Sequence, residues 1–291
     1  MSIARLQEKI RRCKNPTLLH LELSEQMLPP EFLTQGSSLP RAFAAYSVAL
    51  LEQLQGLIPA VRVGFAGYAL MGTEGLNALS RVLETARGLG YYVILEVPDA
   101  LTAEGARFQA ENLFTAVELW PFDSLLLSSY IGSDGIKPYA TGLEKTDKGL
   151  FVVARTGNRS AGDVQDLLTG SRNVFEAVAD LVCRYQGGAP NRSGYDRIGA
   201  VGTATSPAVL KKLREKYRSM FLLVDGYDLS GWGKRCAEAF DALGHGAIVS
   251  VGRTITGAWT QSEYENRSAV EAAQEAAKRV KMNFARNFTV L

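Results

Sequence analysis

The sequence predicts an α/β fold, a single (β/α)8 TIM barrel with a short N-terminal helix. Apolar runs of strand length alternate with longer stretches of helical periodicity eight times along the chain. The runs contain few polar residues, as is typical of strands that helices cover on both faces. No stretch of biased composition interrupts the 291 residues, so we expect one domain over 1–291.

The predicted elements follow from these patterns and from helix-start residues. Thr73, Ser133 and the pair Ser206-Pro207 fit the first positions of helices. The predicted strands are 17–23, 60–65, 91–97, 124–128, 150–155, 198–202, 220–224 and 247–251. The predicted helices are 2–13, 40–57, 73–89, 102–118, 133–144, 162–186, 206–217, 231–243 and 262–286. The alternative, an open doubly wound sheet, usually has fewer strands and an early phosphate loop.

Composition excludes several classes of partner. The net charge is +2, from 32 basic and 30 acidic residues, so no strong field indicates a nucleic-acid or membrane partner. The three cysteines are far apart and odd in number, which predicts a reducing compartment. The first ten residues are amphipathic and charged, unlike a secretory leader. We therefore expect a cytoplasmic protein.

Signals for metals and cofactors are weak. His20 and His245 are far apart and lack the spacing of a metal site. The sequence contains neither a P-loop nor a dinucleotide-binding fingerprint. We expect no metal and no cofactor.

The stretch 220–256 predicts an anion site. An apolar run leads into a glycine-rich loop, Asp225-Gly-Tyr-Asp-Leu-Ser-Gly-Trp-Gly233, and the next run ends in Gly252-Arg253-Thr254. Glycines let backbone N–H groups approach an anion, and an arginine offers a bidentate fork to a phosphate. Two such loops late in the chain match the phosphate site of a (β/α)8 barrel. The alternative is that the glycines only make turns and Arg253 is a surface cation.

Barrel enzymes carry their sites at the C-terminal ends of the strands, and this rule selects further candidates. They are Glu22, Ser24, Arg62, Glu96, Pro98, Asp99, the stretch Arg155-Thr-Gly-Asn158, Thr203 and Thr205. Charged residues within apolar strands are costly unless they are paired. Glu22, Arg62 and Glu96 are therefore expected to form a buried ionic cluster at the barrel mouth. Whether that cluster contacts a substrate or only stabilises the fold stays open.

A series of motifs follows in a fixed order along nearly the whole chain. They are Gly72-Thr-Glu-Gly-Leu76, Tyr130-Ile-Gly-Ser-Asp134, 149–158, Gly162-Asp-Val-Gln165, 199–207, Asp225-Gly-Tyr227 and Gly252-Arg253. Their order and spacing resemble the orotidine 5'-monophosphate decarboxylase family, in particular its longer bacterial branch. The resemblance implies a lyase of pyrimidine biosynthesis and a homodimer that binds a nucleotide monophosphate.

The resemblance also implies roles for residues. Arg253, Gly252, Gly226, Tyr227 and Ser230 would hold the 5'-phosphate, with Ser230 at the position of a family glutamine. The base and ribose would lie against Thr156, Gly157 and Ser24. Gly157 stands where the family has a base-contacting serine, and Ser24 where it has an aspartate.

The third strand departs from the family pattern. Where the family has Asp-x-Lys-x-x-Asp, this chain has Glu96-Val-Pro-Asp-Ala-Leu101, so Pro98 replaces the lysine and Leu101 the second aspartate. Arg62 replaces the lysine of the second strand. Decarboxylation builds negative charge on a ring carbon, which an ammonium must stabilise and then protonate. Glu96 and Arg62 are the remaining candidates for catalytic residues.

Three functional hypotheses remain open. The chain is an active decarboxylase in which Arg62 or Arg107 replaces the lysine, although arginine is a poor proton donor. Alternatively, it is a non-catalytic protein that binds a nucleotide or a sugar phosphate. The third hypothesis is changed chemistry on a phosphorylated substrate, with Glu96, Asp99 or Glu22 as acid or base and Arg62 as charge partner.

Overall fold

Eight parallel strands close into a barrel in the computed structural model, which describes residues 2–22, 24–33, 37–115, 119–186, 193–227 and 233–290. The strands are β1 Thr17–Leu21, β2 Ala60–Gly64, β3 Tyr92–Glu96, β4 Ser124–Ser128, β5 Gly149–Val153, β6 Ile198–Thr203, β7 Leu222–Asp225 and β8 Ala247–Val251. Neighbours in sequence are neighbours in the barrel, and β8 pairs with β1 in the register Thr17↔Val249. The predicted (β/α)8 fold is confirmed.

Helices lie between the strands and cover them. They are α1 Ser2–Cys13, α2 Leu39–Leu54, α3 Phe65–Ala69, α4 Gly72–Gly88, α5 Ala103–Thr115, α6 Lys137–Glu144, α7 Val174–Arg184, α8 Pro207–Lys216, α9 Gly233–Ala237, α10 Arg253–Thr256 and α11 Ala269–Ala285. The larger hydrophobic core fills the layer between strands and helices, which accounts for the continuously apolar strands. Among the residues described, no helix is both long and apolar enough to span a bilayer.

The opening helix α1 closes the N-terminal end of the barrel. Its Ile3, Leu6 and Ile10 are fully buried in one cluster with residues that fill the barrel interior. The Ser2 hydroxyl donates to the carbonyl of Asp123, directly before β4, over 2.8 Å. Because this end is covered and filled, the open end for a ligand is the C-terminal one, as in other barrels of this kind.

The structure corrects three predicted helices. The predicted helix 162–186 contains a 3₁₀ turn and a small hairpin, Leu168–Thr169 with Arg172–Asn173, before α7 begins at Val174. Gly170 has φ +68° at the hairpin turn, and Asn173 with Glu176 forms a capping box that fixes the helix start.

The other two corrections also concern the residue at which a helix begins or ends. The predicted helix 231–243 ends at Ala237, because Asp241 accepts from the N–H groups of Leu243 and His245 in a turn. The predicted helix 262–286 begins only at Ala269, where Ser268 and Glu271 form a capping box.

Gly75 allows α4 to lie against the end of α3. A Cβ atom at this position would lie 2.0 Å from the carbonyl oxygen of Tyr68 and 2.8 Å from Cβ of Met71. We expect Gly75→Ala to lower the free energy of unfolding by roughly 1–3 kcal/mol, because backbone must move. Urea unfolding followed by circular dichroism measures the change.

The matched control is Gly88→Ala, at the other end of the same helix. A Cβ atom there meets no atom within 4 Å, so alanine should leave stability unchanged or raise it by up to about 1 kcal/mol. Equal effects of the two substitutions would contradict the close approach at Gly75.

Candidate functional site

A cavity of about 550 Å³ opens at the C-terminal ends of β1, β2, β7 and β8. It is lined by His20, Glu22, Arg62, Asp225, Gly226, Tyr227, Ser250, Gly252, Arg253 and Thr254. Its size lies within the usual range for small-ligand sites. Arg62, Gly226, Tyr227, Gly252 and Arg253, which were singled out from the sequence, therefore line one cavity. Ser230, also predicted there, lies outside the described residues.

Arg253 forms the exposed rim of this cavity. Its side chain is 66% exposed, and Nε donates to Oε2 of Glu22 over 3.3 Å. The residue opens the short helix α10 directly after Gly252, and the first N–H groups of a helix have no acceptor within it. An exposed, loosely held guanidinium beside such groups is able to turn toward an anion.

The glycine loop after β7 forms the facing wall. Gly226 has φ +80°, a conformation that other residues rarely adopt. The neighbouring Tyr227 is buried, and its ring packs at 5.0 Å from that of Phe284 in α11. Because the ring lies in the core, a ligand in the cavity can contact the backbone of Tyr227 rather than its hydroxyl.

Arg62 is held between two carboxylates at the floor of the cavity. Nε donates to Oε2 of Glu96 over 2.8 Å, and Nη1 donates to both oxygens of Asp225 over 2.8 and 3.0 Å. Burial disfavours the charge, but Asp225 and Glu96 outweigh burial, so the pKa of Arg62 lies above its ordinary value. The guanidinium is permanently charged, and most of its donors are engaged.

The expected ionic cluster of Glu22, Arg62 and Glu96 is thus only partly correct. Arg62 and Glu96 do pair, but the third member is Asp225, while Glu22 contacts Arg253 and His20. Asp225 ends β7, which β8 and β1 separate from β2 in the barrel. The large sequence separation of Arg62 and Asp225 gave no indication that they pair. The available signal in the sequence was a carboxylate at the end of an apolar strand.

His20 lies on β1 beside this cluster. Burial, followed by the positive charge of Arg62, lowers the pKa of His20 to about 3, and Asp225 offsets only part of this effect. The imidazole is therefore neutral at pH 7. Its Nδ1 lies 3.4 Å from Oε1 of Glu22. No group of three or more possible metal ligands occurs in the described ranges.

The end of β3 presents no proton donor to the cavity. Glu96 is the last residue of β3, Pro98 follows at the surface, and Leu101 is 85% exposed. Pro98 lines a separate apolar cavity with Phe65 and Trp120. Among the described residues that line the main cavity there is no lysine.

The residues expected to contact base and ribose lie at the same end of the barrel but do not line the cavity. The Thr156 N–H donates to Oε1 of Gln165 over 2.8 Å. A Cβ atom at Gly157 would lie 2.8 Å from Oγ1 of Thr203, at the end of β6. Ser24 begins a 3₁₀ turn after β1. Their ligand contacts stay predictions.

The chain is similar to curated enzymes over nearly its whole length. It is 30% identical over 278 residues to orotidine 5'-phosphate decarboxylase of Clostridium acetobutylicum, which covers 95% of this chain and 96% of the relative. It is 28% identical over 246 residues to the enzyme of the same name from Rhodopirellula baltica, covering 83% and 82% of the two chains. No protein-family model matches the chain.

Solved structures show the same fold. The OMP decarboxylase of Leishmania donovani superposes with a TM-score of 0.72 at 24% identity and covers 97% of this chain and 98% of its own. A putative orotidine 5'-phosphate decarboxylase from Streptomyces avermitilis gives a TM-score of 0.80 at 19% identity, with 98% and 95% covered. The enzyme of Methanocaldococcus jannaschii, complexed with the inhibitor BMP, gives 0.60 at 16% identity and covers 92% and 99%.

The closed barrel with a cavity at the C-terminal ends of its strands defines a (β/α)8-barrel protein. Within that class, the identity to curated relatives over nearly the full length decides the family. The chain belongs to the orotidine 5'-phosphate decarboxylase family, as the order of its motifs indicated.

The lowered pKa of His20 predicts a specific pH dependence of stability. The unfolded chain takes up the His20 proton below about pH 6.5, whereas the folded chain does so only near pH 3. Stability from this residue is therefore complete above pH 6.5 and is lost as pH falls. Between pH 7 and 5 the wild type should lose about 2 kcal/mol more than His20→Gln. Urea unfolding at both pH values measures this difference.

The control variant is His245→Gln, because His245 lies before β8 and outside the cavity. Equal losses in the wild type and in His20→Gln would show that His20 is not held neutral by the fold.

Proposed function

We propose that this member of the orotidine 5'-phosphate decarboxylase family binds a nucleoside 5'-monophosphate but does not decarboxylate it. One observation carries the proposal. The cavity brings Arg253 together with the glycine loops at 226 and 252, while the residues around Glu96 supply no proton donor. The site keeps the parts that hold a phosphate and lacks those that perform the reaction.

Phosphate binding is supported by the exposed guanidinium and the backbone around it. A phosphate dianion attracts Arg253 more strongly than the carboxylate of Glu22, from which Nε is 3.3 Å away. Gly226 and Gly252 carry no side chains that would block the approach of a ligand to the backbone. The cavity volume of about 550 Å³ suits a nucleotide.

The loss of decarboxylation follows from the chemistry of the third strand. The reaction needs a cation beside the developing carbanion, and this cation must also give up a proton. Pro98 has neither charge nor proton, and Leu101 is apolar. Arg62 carries a charge, but its raised pKa and its two carboxylate partners prevent it from acting as an acid. Losing one preorganised charged group typically costs about 100- to 1000-fold in rate.

The nucleotide as ligand is inferred from the relatives. They are named for a reaction on orotidine 5'-phosphate, and one structural neighbour holds the inhibitor BMP. With the phosphate at Arg253, we place the base and ribose toward Ser24, Thr156 and Gly157, at the same end of the barrel. We retain Glu96 and Arg62 as the residues that border the former reaction centre.

We further infer a homodimer that buries an exposed apolar cluster. Leu70, Leu101, Phe108 and Tyr130 follow β2, β3 and β4 and are 89%, 85%, 68% and 88% exposed. The three strands are neighbours, so the topology places these residues along one side of the C-terminal end. Exposed apolar patches of this kind commonly mark protein interfaces.

The cytoplasm is the proposed location. Cys13, Cys183 and Cys236 are free thiols. Burial raises the pKa of each of them, which keeps them protonated and unreactive. Free, inert thiols are typical of proteins in a reducing compartment.

Binding of uridine 5'-monophosphate tests the phosphate site. We expect isothermal titration calorimetry to detect binding, and Arg253→Ala to weaken it by about tenfold or more, since a charge-assisted hydrogen bond contributes roughly 1.5–3 kcal/mol. The control Arg12→Ala removes an exposed arginine from α1, at the other end of the barrel, and should have no effect. Absence of binding to the wild type would refute the proposal.

Turnover of orotidine 5'-monophosphate tests the lost reaction. We expect no change in ultraviolet absorbance under conditions in which the relative from Clostridium acetobutylicum consumes the substrate completely. Turnover that disappears in Glu96→Gln would instead establish an active decarboxylase with an unusual cation.

The oligomeric state tests the proposed interface. Light scattering after gel filtration should give twice the chain mass for the wild type and the chain mass for Leu101→Asp/Tyr130→Asp, because burying two charges is costly. The control Leu243→Asp changes a half-exposed leucine before β8, at the opposite end, and should remain dimeric. A monomeric wild type would rule out the interface.

A further inference from the structure

Asp225 occupies a position that couples the phosphate loop to the floor of the cavity. It is the last residue of β7 and directly precedes Gly226. Both of its carboxylate oxygens accept from Nη1 of Arg62, over 2.8 and 3.0 Å. The guanidinium is almost fully buried and receives Glu96 on its other side, with Nη2 2.5 Å from Oε2. The result is a carboxylate–guanidinium–carboxylate triad across the barrel mouth.

The charges around the cavity do not cancel. Glu22, Glu96 and Asp225 contribute three negative charges, and Arg62 and Arg253 contribute two positive charges. His20, in the same wall, is neutral at pH 7. The described part of the site therefore carries a net charge of −1 before any ligand binds.

A bound phosphate increases the excess of negative charge at the floor of the cavity. The phosphate engages Arg253 at the rim and releases Glu22 from its ion pair. What faces the rest of the ligand is then the triad, in which one guanidinium is already paired with two carboxylates. Among the described residues of the floor, a second anionic group on the ligand would find no free cation, and the carboxylates of Asp225 and Glu96 would repel it.

We propose that Asp225 makes the site selective for phosphomonoesters whose remaining part carries no negative charge. This inference rests on the proposed function, since it takes the phosphate to lie at Arg253. Asp225 acts through Arg62: by occupying Nη1, it prevents the guanidinium from forming a fork with a ligand carboxylate. The ligand class is a neutral or cationic phosphomonoester, such as uridine 5'-monophosphate, rather than a carboxylated one.

Two ligands that differ by one carboxylate test this selectivity. Calorimetry with the full chain at pH 7 compares uridine 5'-monophosphate with orotidine 5'-monophosphate. We expect the wild type to bind uridine 5'-monophosphate at least tenfold more tightly. Asp225→Asn keeps the shape but removes one charge and partly frees Nη1, so the ratio of the two affinities should fall at least threefold. Asp180→Asn, the same change in an ion pair with Lys216 on the outer helices, should keep the ratio.

Glu96→Gln provides a second variant, because it removes the other carboxylate from Arg62 and should also lower the ratio. Circular dichroism verifies the folding of each variant, and either folded variant decides the question. Equal affinities in the wild type, or a ratio that no folded variant changes, would overturn the role of Asp225 and leave the phosphate site intact. If neither ligand binds, both this inference and the proposed function are overturned.

Discussion

The ion triad of Glu96, Arg62 and Asp225 determines what the open end of this barrel can do. A guanidinium that is almost fully buried requires compensation, and here it comes from the adjacent strand β3 and from β7 across the mouth. Removing one carboxylate would leave the buried guanidinium with a single partner, and because Asp225 and Glu96 are 29% and 38% exposed, the cost lies below the about 3–5 kcal/mol of a fully buried pair. Arg62 therefore has a structural task that fixes its position. A residue held in this way cannot rearrange freely around a reacting group.

The proposed phosphate site and the reaction centre that the family resemblance implies depend on different kinds of group. The first consists of backbone at Gly226 and Gly252 together with one arginine on the rim, and these follow from the turns after β7 and β8. The second requires charged side chains at the end of β3. Backbone geometry is retained with the fold, whereas a charge is lost by one substitution, as we propose for Pro98. The proposed phosphate binding therefore does not depend on the residues that decarboxylation would need, and the fold alone does not link the two.

The sequence predicted the strands well because they are buried on both faces and so are continuously apolar. Each lies within two residues of its expected bounds. The sequence predicted helix bounds less well where local contacts determine them, as in the exposed hairpin around Gly170 and at the helix start beside Ser268. The cavity lining at Gly226, Gly252 and Arg253 was predictable from strand ends. The pairing of Arg62 with Asp225 was not, since it joins residues 163 positions apart through side-chain conformation.

Arg62 stands where the family resemblance implies a lysine, and a guanidinium differs from an ammonium in more than its geometry. An ammonium is compact and gives up a proton when burial lowers its pKa, whereas a guanidinium is planar and holds its protons. In this site the neighbouring carboxylates raise the pKa of Arg62 further above its ordinary value. The same carboxylates that stabilise the arginine thus remove its capacity for acid catalysis. Under the proposed function, Arg62 therefore does not compensate for the proton donor that is missing at Pro98, although the fold is that of the family.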